Sequence, residues 1–310
     1  MSASSLVSIS KKLSLCSTEF ISGDFLRIFD GGDCANFVKI DSKGDGILNV
    51  TAEGRFDSDE GFHSSLALQQ NVLSNHSNNV RLDNLSITNN GLLTGELSIF
   101  TGAMSKLYIA VQDERSEPGK ALDNSGKVGT QITLPNCDMD FNVDIVNGPI
   151  ARARVAYKYN PLNLIFGAHM QVNTHYDDNK TIAGTQCENL CFGLSYNDPS
   201  YNLFAISNDL MSANSMISFG YSQSLSKNAK FGAMVEYGID SNKQLLSSGA
   251  IVKLDDKTQL IGNINSMADV QAMLTHSLSK DIKLEISTKM KLNESSYTPK
   301  TGIGISFFSD

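Results

Sequence analysis

The sequence has no tryptophan, six prolines in 310 residues, and nowhere a run of apolar residues as long as a membrane-crossing helix needs, about 18. That last absence excludes a helical membrane anchor but not a crossing made of strands. A barrel spreads its apolar surface over alternate residues, so its mean hydropathy stays low, and here it is -0.15. Positive charge is also short: Lys+Arg number 25 against 33 for Asp+Glu, a net charge of -8, which argues against nucleic acid as a partner because phosphate binding needs a basic footprint. The five cysteines (Cys16, Cys34, Cys137, Cys187 and Cys191) are an odd number, which fits free thiols in a reducing compartment better than a disulfide scaffold. The N-terminal stretch lacks the pattern of a secretory signal and is poor in arginine for a matrix-targeting presequence, so an uncleaved intracellular protein is expected.

Chemistry is equally scarce. No phosphate-binding glycine loop or nucleophile elbow is present. His63, His76, His169, His175 and His276 are scattered without metal-ligand spacing, and Cys187 and Cys191 lack a second pair, so no metal, cofactor or catalytic residue is expected. Asp41-Ser-Lys-Gly-Asp-Gly46 lacks the third-position ligand and closing glutamate of a calcium loop and reads as a hairpin turn.

What the sequence does contain is period two, many times over, with runs that end at Gly, Asn, Asp, Ser or Pro. In Leu48-Asn-Val-Thr-Ala-Glu-Gly-Arg-Phe56, Leu48, Val50, Ala52 and Phe56 share one face and Asn49, Thr51, Glu53 and Arg55 the other. From Cys137 to Ile145, Met139, Phe141, Val143 and Ile145 oppose Asp138, Asp140, Asn142 and Asp144. The next run, Ala151 to Tyr159, sets alanines, valine and tyrosines against Arg152, Arg154 and Lys158. Paired antiparallel through Asn147-Gly-Pro149, the acidic and basic runs would put carboxylates beside guanidinium groups on one polar face. Ile282 to Leu292 alternates likewise, with Lys283, Glu285, Ser287, Lys289 and Lys291 on its polar face.

Strand follows strand without the helices of βαβ units, so the class is all-β. A soluble β-sandwich that binds a partner also alternates and stays open as a reading. Charge on the polar face of consecutive strands, with aromatics at strand ends such as Tyr157, Tyr159, Tyr221 and Tyr237, favours a transmembrane barrel with interfacial girdles. Units of ~15 residues would give roughly 18 to 20 strands, enough to enclose water. The expected polar wall, and so the expected pore lining, is Asp138, Asp140, Asp144, Arg152, Arg154, Lys158, Lys283, Glu285, Lys289 and Lys291. One segment departs from period two: Leu6, Ile9 and Leu13 form a helical stripe, with Lys11 and Lys12 off it.

Specific stretches then resemble a known family. Asn136-Cys-Asp-Met-Asp-Phe-Asn-Val143 with Gly148-Pro149, then Phe231 to Tyr237, Lys253 to Leu260, Leu278 to Ser287 and Lys300 to Phe307, follow the order and spacing of the mitochondrial voltage-dependent anion channels, the eukaryotic porins. The resemblance is clear over residues 130–160 and 228–308. It implies a 19-stranded barrel in the mitochondrial outer membrane, in contact with lipid. Residues 1–22 would be partly helical in or near the lumen, and residues 23–310 would form the barrel. The implied activity is diffusion of ions and small metabolites, anionic or cationic, with no chemistry catalysed, and self-association or a larger membrane assembly is compatible with it. A related outer-membrane import channel, or a barrel that serves as a structural subunit of a larger complex, is the alternative. Lys300, Gly302, Ile305 and Phe307 resemble the insertion signal of mitochondrial barrels: a polar residue, a glycine and two alternating hydrophobics. Met104-Ser-Lys-Leu107 keeps the lysine of the family's nucleotide-associated Gly-Leu-Lys stretch as Lys106 but not its glycine. Anion preference in the family rests on a basic lumen, whereas this chain is acidic, and carboxylates around a pore favour cations.

Overall fold

The computed structural model describes residues 23–29, 34–43, 48–57, 61–74, 78–89, 92–101, 104–114, 124–146, 149–176, 182–211, 215–293 and 299–309. The stripe Leu6, Ile9, Leu13 lies outside them. The first described segment, expected to belong to the barrel, is instead a helix, α1 (Gly23–Phe29).

The described residues form nineteen strands: β1 (Asn36–Lys43), β2 (Leu48–Asp57), β3 (Gly61–Ser74), β4 (Asn78–Thr88), β5 (Leu92–Thr101), β6 (Ser105–Glu114), β7 (Ser125–Leu134), β8 (Cys137–Asp144), β9 (Ile150–Tyr159), β10 (Leu164–Tyr176), β11 (Ile182–Asn197), β12 (Tyr201–Asn208), β13 (Met216–Ser224), β14 (Ala229–Gly238), β15 (Gln244–Lys253), β16 (Thr258–Asn265), β17 (Asp269–Ser277), β18 (Ile282–Lys291) and β19 (Lys300–Ser309). Each pairs with its neighbours in sequence, and β1 also pairs with β19, so one sheet closes on itself. This excludes the sandwich. Strands of a meander alternate in direction, so with an odd number the first and last run the same way. The closing pair is accordingly parallel, from Phe37 opposite Gly304 to Ser42 opposite Ser309, whereas β1 and β2 are antiparallel.

Closure leaves the sheet with an enclosed face and an outer face. On β8 the polar Asp138, Asp140, Asn142 and Asp144 are buried, while Phe141 and Val143 are exposed. The outer face repeats this around the ring with Val38, Ile40, Phe62, Ile87, Ile109, Val128, Phe219 and Ile303, each between 49% and 60% exposed. A contiguous greasy surface of this extent is far beyond what a soluble monomer presents, a few hundred Å². Hydrocarbon is the environment it fits. One rim of the outer face is rich in tyrosine. Tyr157 and Tyr159 end β9 beside Phe166 and Leu164, Tyr196 stacks on Tyr201 at 5.4 Å, and Tyr221 pairs with Leu203. Amphipathic rings concentrated at one level mark a membrane–water boundary.

The enclosed face is polar except on one wall. There Ile165, Cys191, Phe204, Ile206, Met216, Met234, Ile251 and Ile261 form a buried apolar cluster with Phe25, Ile28 and Phe29 of α1. Those three fall at i, i+3 and i+4, one stripe of a helix. Seven residues are far too few to hold a helix in water, so α1 owes its form to this wall. Phe25 meets Phe204 edge-on at 4.8 Å between ring centroids. The Asn263 amide donates to the Ile28 carbonyl at 3.2 Å and satisfies one of the orphan acceptors of the helix end. Glycines shape the seat: a Cβ at Gly232 would lie 3.0 Å from Ile28 Cδ1, and one at Gly249 would lie 2.8 Å from Ile28 Cγ2.

At the seam, Gly302 and Gly304 face the same enclosed side. A Cβ at Gly302 would meet backbone of Cys34 and Ala35 at 2.6 Å, and one at Gly304 would meet the Phe37 ring. A ring can turn aside; a backbone that is itself entering the sheet cannot. We therefore expect Gly304→Val to be rescued by Phe37→Ala, and Gly302→Val not to be, with the yield of heat-resistant closed barrel on refolding as the measurement. Phe25→Ala is expected to weaken seating of α1 by about 3 kcal/mol, read as a roughly hundredfold faster amide exchange over residues 23–29 while exchange in β12 to β16 is unchanged.

Candidate functional site: the wall of the lumen

The polar part of the enclosed face runs from β4 to β11 and is built by cross-strand register. Asp140 of β8 stands opposite Arg154 of β9, and Asn142 opposite Arg152, as the paired acidic and basic runs require. Arg154 binds Asp140 through two guanidinium nitrogens, with Nε 3.0 Å from Oδ2. The other carboxylate oxygen accepts from the Tyr108 hydroxyl at 2.8 Å. Tyr108 belongs to β6, two strands away, and reaches Asp140 across Gly129 of β7, where a Cβ would stand 2.5 Å from the tyrosine ring. Gly129 is thus a window, and Asp140 is tied from both sides.

Beside this pair lies a second cluster. Lys106 Nζ is 2.6 Å from Asp83 and 3.0 Å from Glu96, and Arg81 Nε is 3.0 Å from Asp83. The ammonium also sits over the rings of Phe100 and Tyr108, at 5.9 and 5.6 Å. With two carboxylates on one ammonium, the lysine that the family resemblance singled out is held by protein rather than offered to an anion. On the other side Arg152 Nε donates to Gln171 at 2.9 Å, and Gln171 and Asn173 both donate to Glu188, at 3.1 and 2.7 Å. Guanidinium, amide and carboxylate alternate from β4 to β11.

The remaining expected residues fall in three groups. Asp138 is buried opposite Ala156 and Thr133, and Asp144 accepts the backbone N–H groups of Gly126 and Val146 at 3.2 Å each, which makes it a turn clamp as well as a wall charge. Lys158 is exposed near the end of β9, opposite Ile165. Lys283 and Glu285 pair with each other on β18, Lys289 stands between Gln271 and Lys300, and Lys291 stands opposite Asp269. Lys300 and Gly302 share the enclosed parity of these lysines, while Ile305 and Phe307 pair with Leu284 and Ile282 on the outer face.

Sequence reading missed Asp83, Glu96, Tyr108, Gln171 and Glu188. Asp83 stands at a register shift between Leu82 and Asn84, where an extra residue breaks the alternation that would have assigned it a face. For Tyr108 a signal existed: a glycine at an inward position of a strand, between Val128 and Thr130, marks a close approach. It also missed the apolar wall under α1, because β12 and β14 carry hydrophobics on both faces and lose the contrast on which alternation rests.

A wall of alternating fixed charges along a closed sheet with a lipid-type exterior can pass or hold solutes. Known proteins share the closed-barrel fold. Two mutants of the Rhodopseudomonas blastica porin, altered at five and at two sites, resemble the chain in fold at 8% and 10% identity, each with a TM-score of 0.51 and with 84% of this chain and 99% of that chain aligned. No curated protein matches the sequence. The model of the family described as eukaryotic porin matches residues 48–302, well over half the length, and the chain belongs to that family.

Proposed function

We propose that this chain is a diffusion channel of the mitochondrial outer membrane for ions and small metabolites. The observation that carries the reading is the closed 19-stranded sheet, apolar outside and charged inside. Strands ~4.8 Å apart and tilted by about 40° make a ring roughly 35–40 Å across between backbones, too wide for side chains to fill. Water therefore occupies what α1 and the wall residues leave free. The family supports passage of solutes through it, and the C-terminal residues Lys300, Gly302, Ile305 and Phe307, with the greasy pair on the lipid side, support insertion by the mitochondrial route.

Selectivity follows from which wall charges are spent. Lys106 is neutralised by two carboxylates and Arg154 by one, so the network wall offers few free cations to attract anions. The chain as a whole carries -8. We expect weak selectivity that leans to cations, since charges fixed at the rim of a wide aqueous lumen act through water.

In planar bilayers the purified, folded chain is expected to give stepwise conductance; its absence from folded protein contradicts the channel reading. Lys106→Gln, which removes the ammonium shared by Asp83 and Glu96 and leaves Asp83 to Arg81, is expected to shift the reversal potential in a salt gradient toward cations. Asp140→Asn, which removes the carboxylate charge beside Arg154, is expected to shift it toward anions, each by the equivalent of less than about 1 kcal/mol. Shifts of the same sign in both variants would show that these residues do not set selectivity.

A further inference from the structure

The two mouths of the barrel differ in charge. We propose that ions are sorted at one of them, an acidic mouth that enriches cations on its own side, so that the channel selects differently in its two directions. This rests on the channel reading and names where along the pore selectivity is set.

Antiparallel order fixes which residues share a mouth. β9 ends and β10 begins at the tyrosine rim, so every even-numbered strand ends, and the odd-numbered strand after it begins, at the opposite mouth. Among the described residues at the strand ends and turns of that mouth, Asp57, Glu114, Asp144, Asp209, Asp240 and Asp269 face only Lys243, Lys291 and Lys300. By sequence, the remaining connections at the same end hold seven acids against three bases. At the tyrosine mouth the same positions carry five lysines (Lys43, Lys227, Lys253, Lys257 and Lys280) against four aspartates, with one more acid, Asp45, in the remaining connections. The acids of the opposite mouth also keep their charge. Asp144 accepts two backbone N–H groups at 3.2 Å each, Asp209 the Asn208 amide at 3.0 Å, Asp240 the Ser215 hydroxyl at 3.0 Å and Asp269 the Asn265 amide at 3.2 Å. None of these four makes an ion pair among the described residues. Neutral donors hold a carboxylate in place without cancelling it, whereas Asp83 and Asp140 on the network wall lie against cations.

Screening turns this segregation into a directional property. Exposed charges act over a Debye length of about 30 Å in 0.01 M salt, about 10 Å in 0.1 M and about 3 Å in 1 M. Across a ring roughly 35–40 Å wide between backbones, the field of the acidic mouth therefore reaches the pore axis only in dilute salt. Facing the dilute side of a gradient, that mouth concentrates cations and repels anions before they enter. Facing the concentrated side it is screened, and the ions meet instead a nearly balanced tyrosine mouth. A charge spread evenly along the pore would give the same selectivity in both directions.

Two measurements on the full chain test it, with native cysteines replaced by serine. In single channels under a gradient of about 0.01 M against 1 M salt, the cation-to-anion permeability ratio is expected to be at least about twofold higher with the dilute side at the acidic mouth than with the gradient reversed. Streptavidin added afterwards to one chamber, binding biotin on Ser226→Cys at the tyrosine mouth, assigns the orientation of each channel. Asp209→Asn combined with Asp240→Asn keeps both side chains as acceptors, and asparagine tolerates the φ of 52° at position 209, so the fold stands while the difference between directions is expected to shrink. The second measurement needs no conduction: the rates at which a cationic and an anionic methanethiosulfonate modify Ser241→Cys at the acidic mouth and Ser226→Cys at the other. Their ratio cancels the reactivity of each thiol, and in about 0.01 M salt it is expected to favour the cationic reagent at least about threefold more at Ser241→Cys, converging in 1 M salt. Conductance with equal selectivity in both directions, or a difference untouched by the double variant, overturns the acidic mouth and leaves the channel standing. Unequal reagent ratios without conductance overturn the channel and leave the charged mouth. Equal reagent ratios at the two positions overturn the acidic mouth whatever the conductance does.

Discussion

Hydrocarbon offers no hydrogen-bond partner, so a sheet that crosses it must leave no unpaired edge. The rest of this molecule is arranged around that constraint. Nineteen antiparallel neighbours cannot close without one parallel pair, and β1 with β19 supplies it. The seam then brings the chain at Cys34 and Ala35 across the inner side of β19, where only glycine fits at position 302. A residue that reads in the sequence as part of an insertion signal thus also has a packing reason to be glycine. The two are compatible, since a signal placed on the closing strand marks the strand on which closure depends.

Closure also creates an interior whose wall is divided by chemistry. From β4 to β11 the enclosed face is a lattice of ion pairs and amides, and from β12 to β16 it holds the apolar patch that carries α1. Each half explains something in the other. A helix with Phe25, Ile28 and Phe29 on one stripe could not rest on Asp138 or Arg152, and the inward hydrophobics of β12 and β14 would meet water without it. Strands under the helix accordingly carry glycine at Gly220, Gly232 and Gly249, where the approach is closest.

Much of this was legible in the sequence. Because side chains alternate strictly, faces of β2, β8, β9 and β18 follow from counting, and the pairing of Asp140 with Arg154 follows from a short hairpin that fixes register. Legibility fails where alternation does. The bulge at Asp83 hides one acid, and Tyr108 meets Asp140 across a strand rather than within a hairpin. The apolar lumen wall reads as strands buried on both faces, which periodicity cannot tell from lipid-facing ones. The helix at Gly23–Phe29 escaped for a related reason: Phe25, Ile28 and Phe29 make a single turn of stripe, too short for the 3.6 period to declare itself, and what fixes it is a wall more than 130 residues away in sequence.

The central claim is that successive side chains face lipid and water by turns around one closed sheet. Single cysteines placed along residues 139–144 and 282–291, in a chain whose native cysteines are replaced by serine and reconstituted in bilayers, test it most directly. Even-numbered positions of the first stretch and odd-numbered positions of the second are expected to react with a charged, membrane-impermeant thiol reagent. Their neighbours are expected to resist it and, when labelled with a fluorophore, to be quenched from within the lipid. Uniform reactivity along either strand, or lipid quenching at the positions of Asp140 or Lys289, would contradict the account.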